Sequence, residues 1–195
     1  MKKSLFNIDD FFKSACLFEA SLTLVAVVLG MIANINPFEN FKFSELAIVY
    51  GVLGTAPLFM MFLSLEQVRH TSVSSIKDLL LKTLGPGLHK YHWTDLLILA
   101  SIAGFSEELL FRGVIQPWIE HAWGAFTGLV VSNLIFGLVH AVTPLYALLA
   151  TLVGIYLGLA LDVTGDKNLL VPVIIHGLYD FLAFLALMKT FKSNI

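Results

Sequence analysis

Two carboxylates and a guanidinium stand close together in the apolar run G-F-S-E-E-L-L-F-R-G, residues 104–113. An ionised side chain deep in such a run costs roughly 2.5–3.5 kcal/mol on membrane-insertion scales, so it needs a partner or water. Glu108 and Arg112 are four residues apart, a spacing that stacks them on one face of a helix as an ion pair. Glu107 is turned about 100° from that pair. It is therefore the better candidate for a reactive carboxylate acting as a general base. Taken alone, the same three residues also read as a structural ion-pair network that anchors a helix.

Two further constellations follow in later apolar runs. Phe136 and His140 are four apart, with Gly137 between them where a second backbone can approach. Asn133 lies two turns earlier, either extending a polar stripe or joining two helices. His176 and Asp180 repeat the four-residue spacing, with Tyr179 beside them. An aspartate so placed can orient or charge the imidazole, bind a metal with it, or hold a water. Singly, His140 reads as a packing or interfacial histidine and His176–Asp180 as a structural hydrogen bond. Together the three runs each bring ionisable groups inward, which membranes tolerate where a polar cavity receives them. Glu107, His140, His176 and Asp180 comprise a base, two imidazoles and an orienting acid, the groups hydrolysis requires. The His-Glu-x-x-His zinc motif and cysteine-based zinc patterns are absent, Ser106 lies in no Gly-x-Ser-x-Gly turn, and no glycine-rich phosphate loop supports ATP or NAD.

The elements that must carry these groups follow from composition. Of 195 residues, 57% are hydrophobic and 13% charged, against about 25% charged in a soluble domain. This predicts an all-α, polytopic membrane bundle. The 12 Lys and Arg are dispersed and the net charge is -2, so there is no footprint for nucleic acid. The single Cys16 has no intrachain partner. Lys2 and Lys3 are followed by Asp9, Asp10 and Lys13 before the first apolar core, Leu17 to Ala33, and no small-x-small cleavage pattern follows. That stretch reads as a retained span rather than a signal peptide.

Six spans are expected, at about residues 14–34, 46–65, 93–120, 123–140, 143–161 and 169–188. The third, at 28 residues and ~1.5 Å each, exceeds the ~30 Å hydrocarbon core, so it tilts or projects, and Pro117 marks a kink or exit. Between spans two and three, Val73, Ile76, Leu80 and Leu84 share a face, a candidate interfacial helix ending at Gly85-Pro86-Gly87; a plain cytoplasmic loop is the alternative. The chain thus divides into a two-span region with its cytoplasmic connection, 1–92, and a four-span core with the three motifs, 93–195. Nine Lys and Arg fall on the N-terminal tail, the 66–92 connection and the C-terminal tail, against Lys42 and Lys167 on the other side. Both termini are accordingly expected in the cytoplasm. In this topology His140 ends span four while His176 lies only ~10 Å into span six from the opposite face. One shared site then requires helices that bend, thin the membrane or stop short.

On these motifs the sequence resembles the CAAX-protease and bacteriocin-processing (CPBP) family of intramembrane proteases, which includes the Rce1-like prenyl-protein endopeptidases. Its Glu-Glu-x-x-x-Arg motif is matched by Glu107, Glu108 and Arg112, its Phe-x-x-x-His by Phe136 and His140, and its His-x-x-x-Asn or Asp by His176 and Asp180. The ordered triple spans roughly residues 93–188. The resemblance implies a helical cavity open to the cytoplasmic side, with Glu107 and His140 activating water and His176 with residue 180 stabilising the oxyanion or holding that water. Glu108, Arg112, Phe136 and Asn133 would support the geometry. The family has been described both as metal-dependent and as glutamate-dependent. Two adjacent carboxylates on one helix look more like base plus support, so no cofactor is expected; the alternative is a divalent metal such as zinc on Glu107, His140, His176 and Asp180. Rce1-like members carry asparagine at residue 180, an amide donor, whereas ionised Asp180 only accepts. The implied activity is endoproteolysis near the terminus of a membrane-associated protein or peptide, in a bacterial cytoplasmic membrane. A non-catalytic member serving peptide immunity or scaffolding is the alternative, and a proton-coupled transporter a third reading.

Overall fold

The computed structural model describes residues 8–68 and 70–194, with side chains from Phe11 onward. Lys2, Lys3 and Arg69, which entered the charge count, lie outside the described residues. The apolar runs form α1 (Ile8–Ala33), α2 (Glu45–Gln67), α3 (Thr71–Leu88), α4 (Trp93–Leu110), α5 (Gln116–Trp123), α6 (Ala125–Val139), α7 (Pro144–Ala160) and α8 (Leu170–Ser193). A π-helical turn, Phe111–Ile115, joins α4 to α5.

The helix ends have local causes. α1 stops where Asn34 adopts the left-handed conformation, φ 53°, and the Ile35 N–H donates to the Gly30 carbonyl at 2.8 Å. The Ser44 hydroxyl caps α2 by accepting from the Ala47 N–H at 3.1 Å. Asp95 accepts from the His92 N–H at 2.9 Å, completing a capping box that starts α4. Thr143 caps α7, with Pro144 in the first turn where a missing N–H leaves no carbonyl unpaired.

Three helices among the described residues are long and apolar enough to cross a membrane: Phe11–Ala33, Glu45–Gln67 and Leu170–Ser193. α1 and α2 turn large apolar side chains outward, Leu17 and Phe18 among them at 71% and 64% exposure, as a lipid-facing surface does. α6 and α7 have only 15 and 17 residues, or ~22 and ~26 Å, short of the ~30 Å core. α4 carries Asp95, Glu107 and Glu108.

Two boundaries differ from the sequence reading. The helix expected to end at Gly85-Pro86-Gly87 runs through them to Leu88. Both glycines are contact points: a Cβ on Gly85 would meet the Phe191 ring at 2.2 Å, and one on Gly87 the Phe11 ring at 2.4 Å. Packing thus overrides the turn preference. Pro117 likewise does not end the third segment, which continues to Trp123. It sits in the first turn of α5, directly after the widened turn has shifted the hydrogen-bond register.

α4 is the central element, packed against α8 and α1, while α2 packs on α8 and α6 on α7. The α4–α8 crossing is close because Gly104 meets Gly177; a Cβ on Gly104 would lie 2.6 Å from the Gly177 nitrogen. This crossing brings Glu108 onto His176. The loops 34–44 and 161–169 meet at one end of the bundle, where the Leu169 N–H donates to the Asn40 carbonyl at 2.7 Å.

Candidate active site

The site grows from a fully buried carboxylate. Glu108 Oε1 accepts from Arg112 Nη1 at 2.8 Å, the pair expected from the i,i+4 spacing, and also from His176 Nδ1 at 2.8 Å. Arg112 is 1% exposed, and its Nη2 donates to Asn133 Oδ1 at 2.8 Å and to the Gly154 carbonyl at 2.6 Å. One guanidinium therefore ties α4, α6, α7 and, through Glu108, α8. The Gly154 site has no room for a side chain: a Cβ there would lie 2.6 Å from Asn133 Oδ1. Asn133 in turn donates to the Leu129 carbonyl at 2.7 Å, which fixes its amide.

Phe136 occupies the middle of this network. Its ring lies 4.9 Å from the Arg112 guanidinium, stacks near His140 with centroids 4.4 Å apart, and meets His176 edge-on at 6.1 Å. Its carbonyl accepts from His140 Nδ1 at 2.8 Å. The Phe-x-x-x-His spacing thus has a physical content: one residue supplies both the surface against which the imidazole lies and the acceptor that sets its tautomer. His140 Nε2 is left facing Glu107 Oε2 at 3.5 Å. On the other side, His176 Nε2 faces Asp180 Oδ2, also at 3.5 Å.

The residues expected to share a site do converge, although they come from helices that enter from different ends. Adjacent residues of α4 do this: Glu107 reaches His140 and Glu108 reaches His176. α6 has only 15 residues and ends at Val139 with the half-buried His140 as its cap, which shortens the separation expected from a full-length span. Glu107, His140, His176, Asp180 and Phe136 line a cavity of about 680 Å³ that extends past α1 and α2 to α3.

Residues 89–182, just under half the chain, match a protein-family model described as type II CAAX prenyl endopeptidase Rce1-like. All three motifs fall within this match, so the motif-bearing segment is similar to that family. Neither curated proteins nor solved structures returned a match to the chain. The matched segment begins just before the capping box of α4 and ends just past Asp180, so it contains every residue of the buried network.

Some of that family's members have been read as metal enzymes, and the donor set here bears on this. Among the described residues no three His, Cys, Asp or Glu side chains are grouped to hold a metal ion. Both Nδ1 atoms are committed, to the Phe136 carbonyl and to Glu108, and Glu108 Oε1 already serves two donors. The two Nε2 atoms are the ring nitrogens left facing Glu107 and Asp180.

Sequence reading missed Glu19. It lies in the apolar body of α1, yet it lines the same cavity and its Oε2 is buried with no hydrogen-bond partner among the described residues. A carboxylate within an otherwise apolar span was the available signal. Tyr146, from the first turn of α7, also lines the cavity and was likewise passed over, whereas Tyr179 lies on it as its position beside the His–Asp pair suggested.

Proposed function

We propose that this protein is an intramembrane endopeptidase that cleaves a membrane-associated protein or peptide with a water activated by Glu107 and His140. The observation that carries the reading is the placement of Glu107 Oε2 and His140 Nε2 3.5 Å apart on the wall of the cavity. His140 donates through Nδ1 to a carbonyl, which leaves Nε2 as a base in the neutral ring. A water about 2.8 Å from both atoms donates one hydrogen to each and turns a lone pair toward the cavity. On attack at the scissile carbonyl, Glu107 takes the proton and passes it to the departing amine.

His176 donates through Nδ1 to Glu108 and turns Nε2 toward Asp180. Two carboxylates flank this ring, so one added proton, on Nε2 or on Asp180, makes both contacts favourable. When the tetrahedral oxyanion forms beside the His176–Asp180 contact, that proton turns from it to the oxyanion, a role an ionised Asp180 could not fill. Arg112, Glu108, Asn133 and Phe136 act as positioning residues that hold the two imidazoles.

Six membrane crossings with both termini cytoplasmic fit this reading, with α4 and α5 as one crossing and α6 and α7 as short ones. Lys13, Lys77, Lys82, Lys90, Lys189 and Lys192 then lie on the cytoplasmic side and Lys42 and Lys167 opposite, as the positive-inside rule requires. The cavity would open on the cytoplasmic side, beside α3.

The test compares protein termini by mass spectrometry in cells carrying the wild type and Glu107→Gln, at matched levels of the protein. Specific termini present only with the wild type, and their uncleaved precursors only with the variant, are expected. Identical sets of termini would refute proteolysis and leave the non-catalytic reading.

A further inference from the structure

We propose that Glu19 is a specificity-determining residue that receives a positively charged side chain of the bound peptide next to the scissile bond; the assignment rests on the proteolytic reading above. α1 and α4 start at the same end of the bundle, since Phe11 lies against Gly87 at the close of α3, just before α4 begins. They run in parallel register: Phe11 and Ala15 join the cluster around Leu96 and Leu99, and further along Ala26 packs in the cluster of Leu109, Leu110 and Val114. Phe11, Ala15 and Glu19 turn one face of α1 to the cavity, and Leu99, Ala103 and Glu107 turn one face of α4 to it. Equal four-residue steps in parallel register place Glu19 level with Glu107.

At that level the cavity is short of positive charge. The Glu19 carboxylate is within electrostatic reach of Glu107, Asp180, His140 and His176. Among the described lining residues the only lysine or arginine is Lys77, which is paired with Glu66 at 2.8 Å. Arg112 is spent on Glu108, Asn133 and Gly154. An unpartnered carboxylate in a largely apolar enclosure is unfavourable, and a cation supplied by the ligand relieves it. The chemistry fits a peptide segment with apolar side chains for the cavity wall and one ammonium or guanidinium group for Glu19.

The probes are fluorescent lipopeptides in which a single lysine is moved through an otherwise alanine and leucine sequence, each paired with the norleucine peptide that lacks only the charge. Binding is measured by anisotropy to the full chain carrying Glu107→Gln, which blocks turnover, in nanodiscs of zwitterionic lipid. At one lysine position the affinity should exceed that of the norleucine peptide by at least about tenfold, equivalent to ~1.4 kcal/mol. Adding Glu19→Gln should abolish that gain and leave norleucine binding within about twofold, whereas Glu19→Asp should retain most of it. Equal binding of lysine and norleucine peptides at every position would overturn the proposal. So would a lysine gain that survives Glu19→Gln, or one lost equally with Glu19→Asp. Failure of the proteolytic reading would show separately, as unchanged termini in the cellular comparison whatever the binding result.

Discussion

Replacing Arg112 by methionine keeps much of the side-chain length and removes the charge. The wild-type guanidinium, 1% exposed, donates to Glu108, Asn133 and the Gly154 carbonyl at 2.8, 2.8 and 2.6 Å. Removing one partner of a buried ion pair costs roughly 3–5 kcal/mol, because the remaining charge stays buried without compensation. Here His176 still donates to Glu108, which argues for the lower end, about 3 kcal/mol. The two neutral acceptors add ~0.6 kcal/mol each, the average for interhelical hydrogen bonds within membranes. The expected loss is therefore ~4 kcal/mol, close to a thousandfold in the folded-to-unfolded ratio. Reversible unfolding in mixed micelles, titrated with SDS and followed by circular dichroism, measures it. The double variant Glu108→Gln with Arg112→Met removes the stranded charge and should recover at least ~2 kcal/mol of the loss. A single variant within ~1 kcal/mol of wild type, or a double variant no more stable than the single, would refute the view that this pair is what ties the helices together.

Glu107→Gln should lower turnover by about 10²- to 10⁴-fold, the usual contribution of a general base, with unfolding free energy changed by less than ~1 kcal/mol because its Oε2 makes no hydrogen bond among the described residues. Gly104→Val should depress turnover and stability together, by roughly 1–3 kcal/mol in the latter, because even a Cβ would sit 2.6 Å from the Gly177 backbone and force α4 from α8; paired kinetic and unfolding measurements show whether both fall. Asp180→Asn should retain turnover, since an amide can donate where the acid needs a proton, while Asp180→Leu should lose it; equal activity in both would remove Asp180 from the chemistry. With Glu107 and His140 activating the water, hydrolysis should persist in 1,10-phenanthroline, and inhibition reversed by added zinc would contradict this.

The i,i+4 pairs were legible because helical periodicity alone dictates them. Glu108–Arg112 meets as its spacing requires, and His140 reaches the carbonyl of the residue four before it. The start of α7 was legible, since the span expected from residue 143 begins where Thr143 caps the helix. The end of α3 was not legible at Gly85–Gly87, where aromatic rings from α8 and α1 fill the space the glycines leave. Glu19 was legible only as a carboxylate in an apolar span; its partners were not, because the register of α1 against α4 is what places it in the cavity.

The amino-acid sequence by itself determined that this chain is helical, that it carries membrane-length apolar runs, and which ionisable groups those runs must accommodate, since periodicity and transfer energetics are local properties. Only the tertiary structure decided which groups meet. Glu107 and Glu108 are neighbours in sequence but point to different partners, one to His140 and the other to His176, because α6 stops short and the Gly104–Gly177 contact lets α8 approach. Such pairings depend on how closely distant backbones can pack, and no spacing within a single helix encodes that distance.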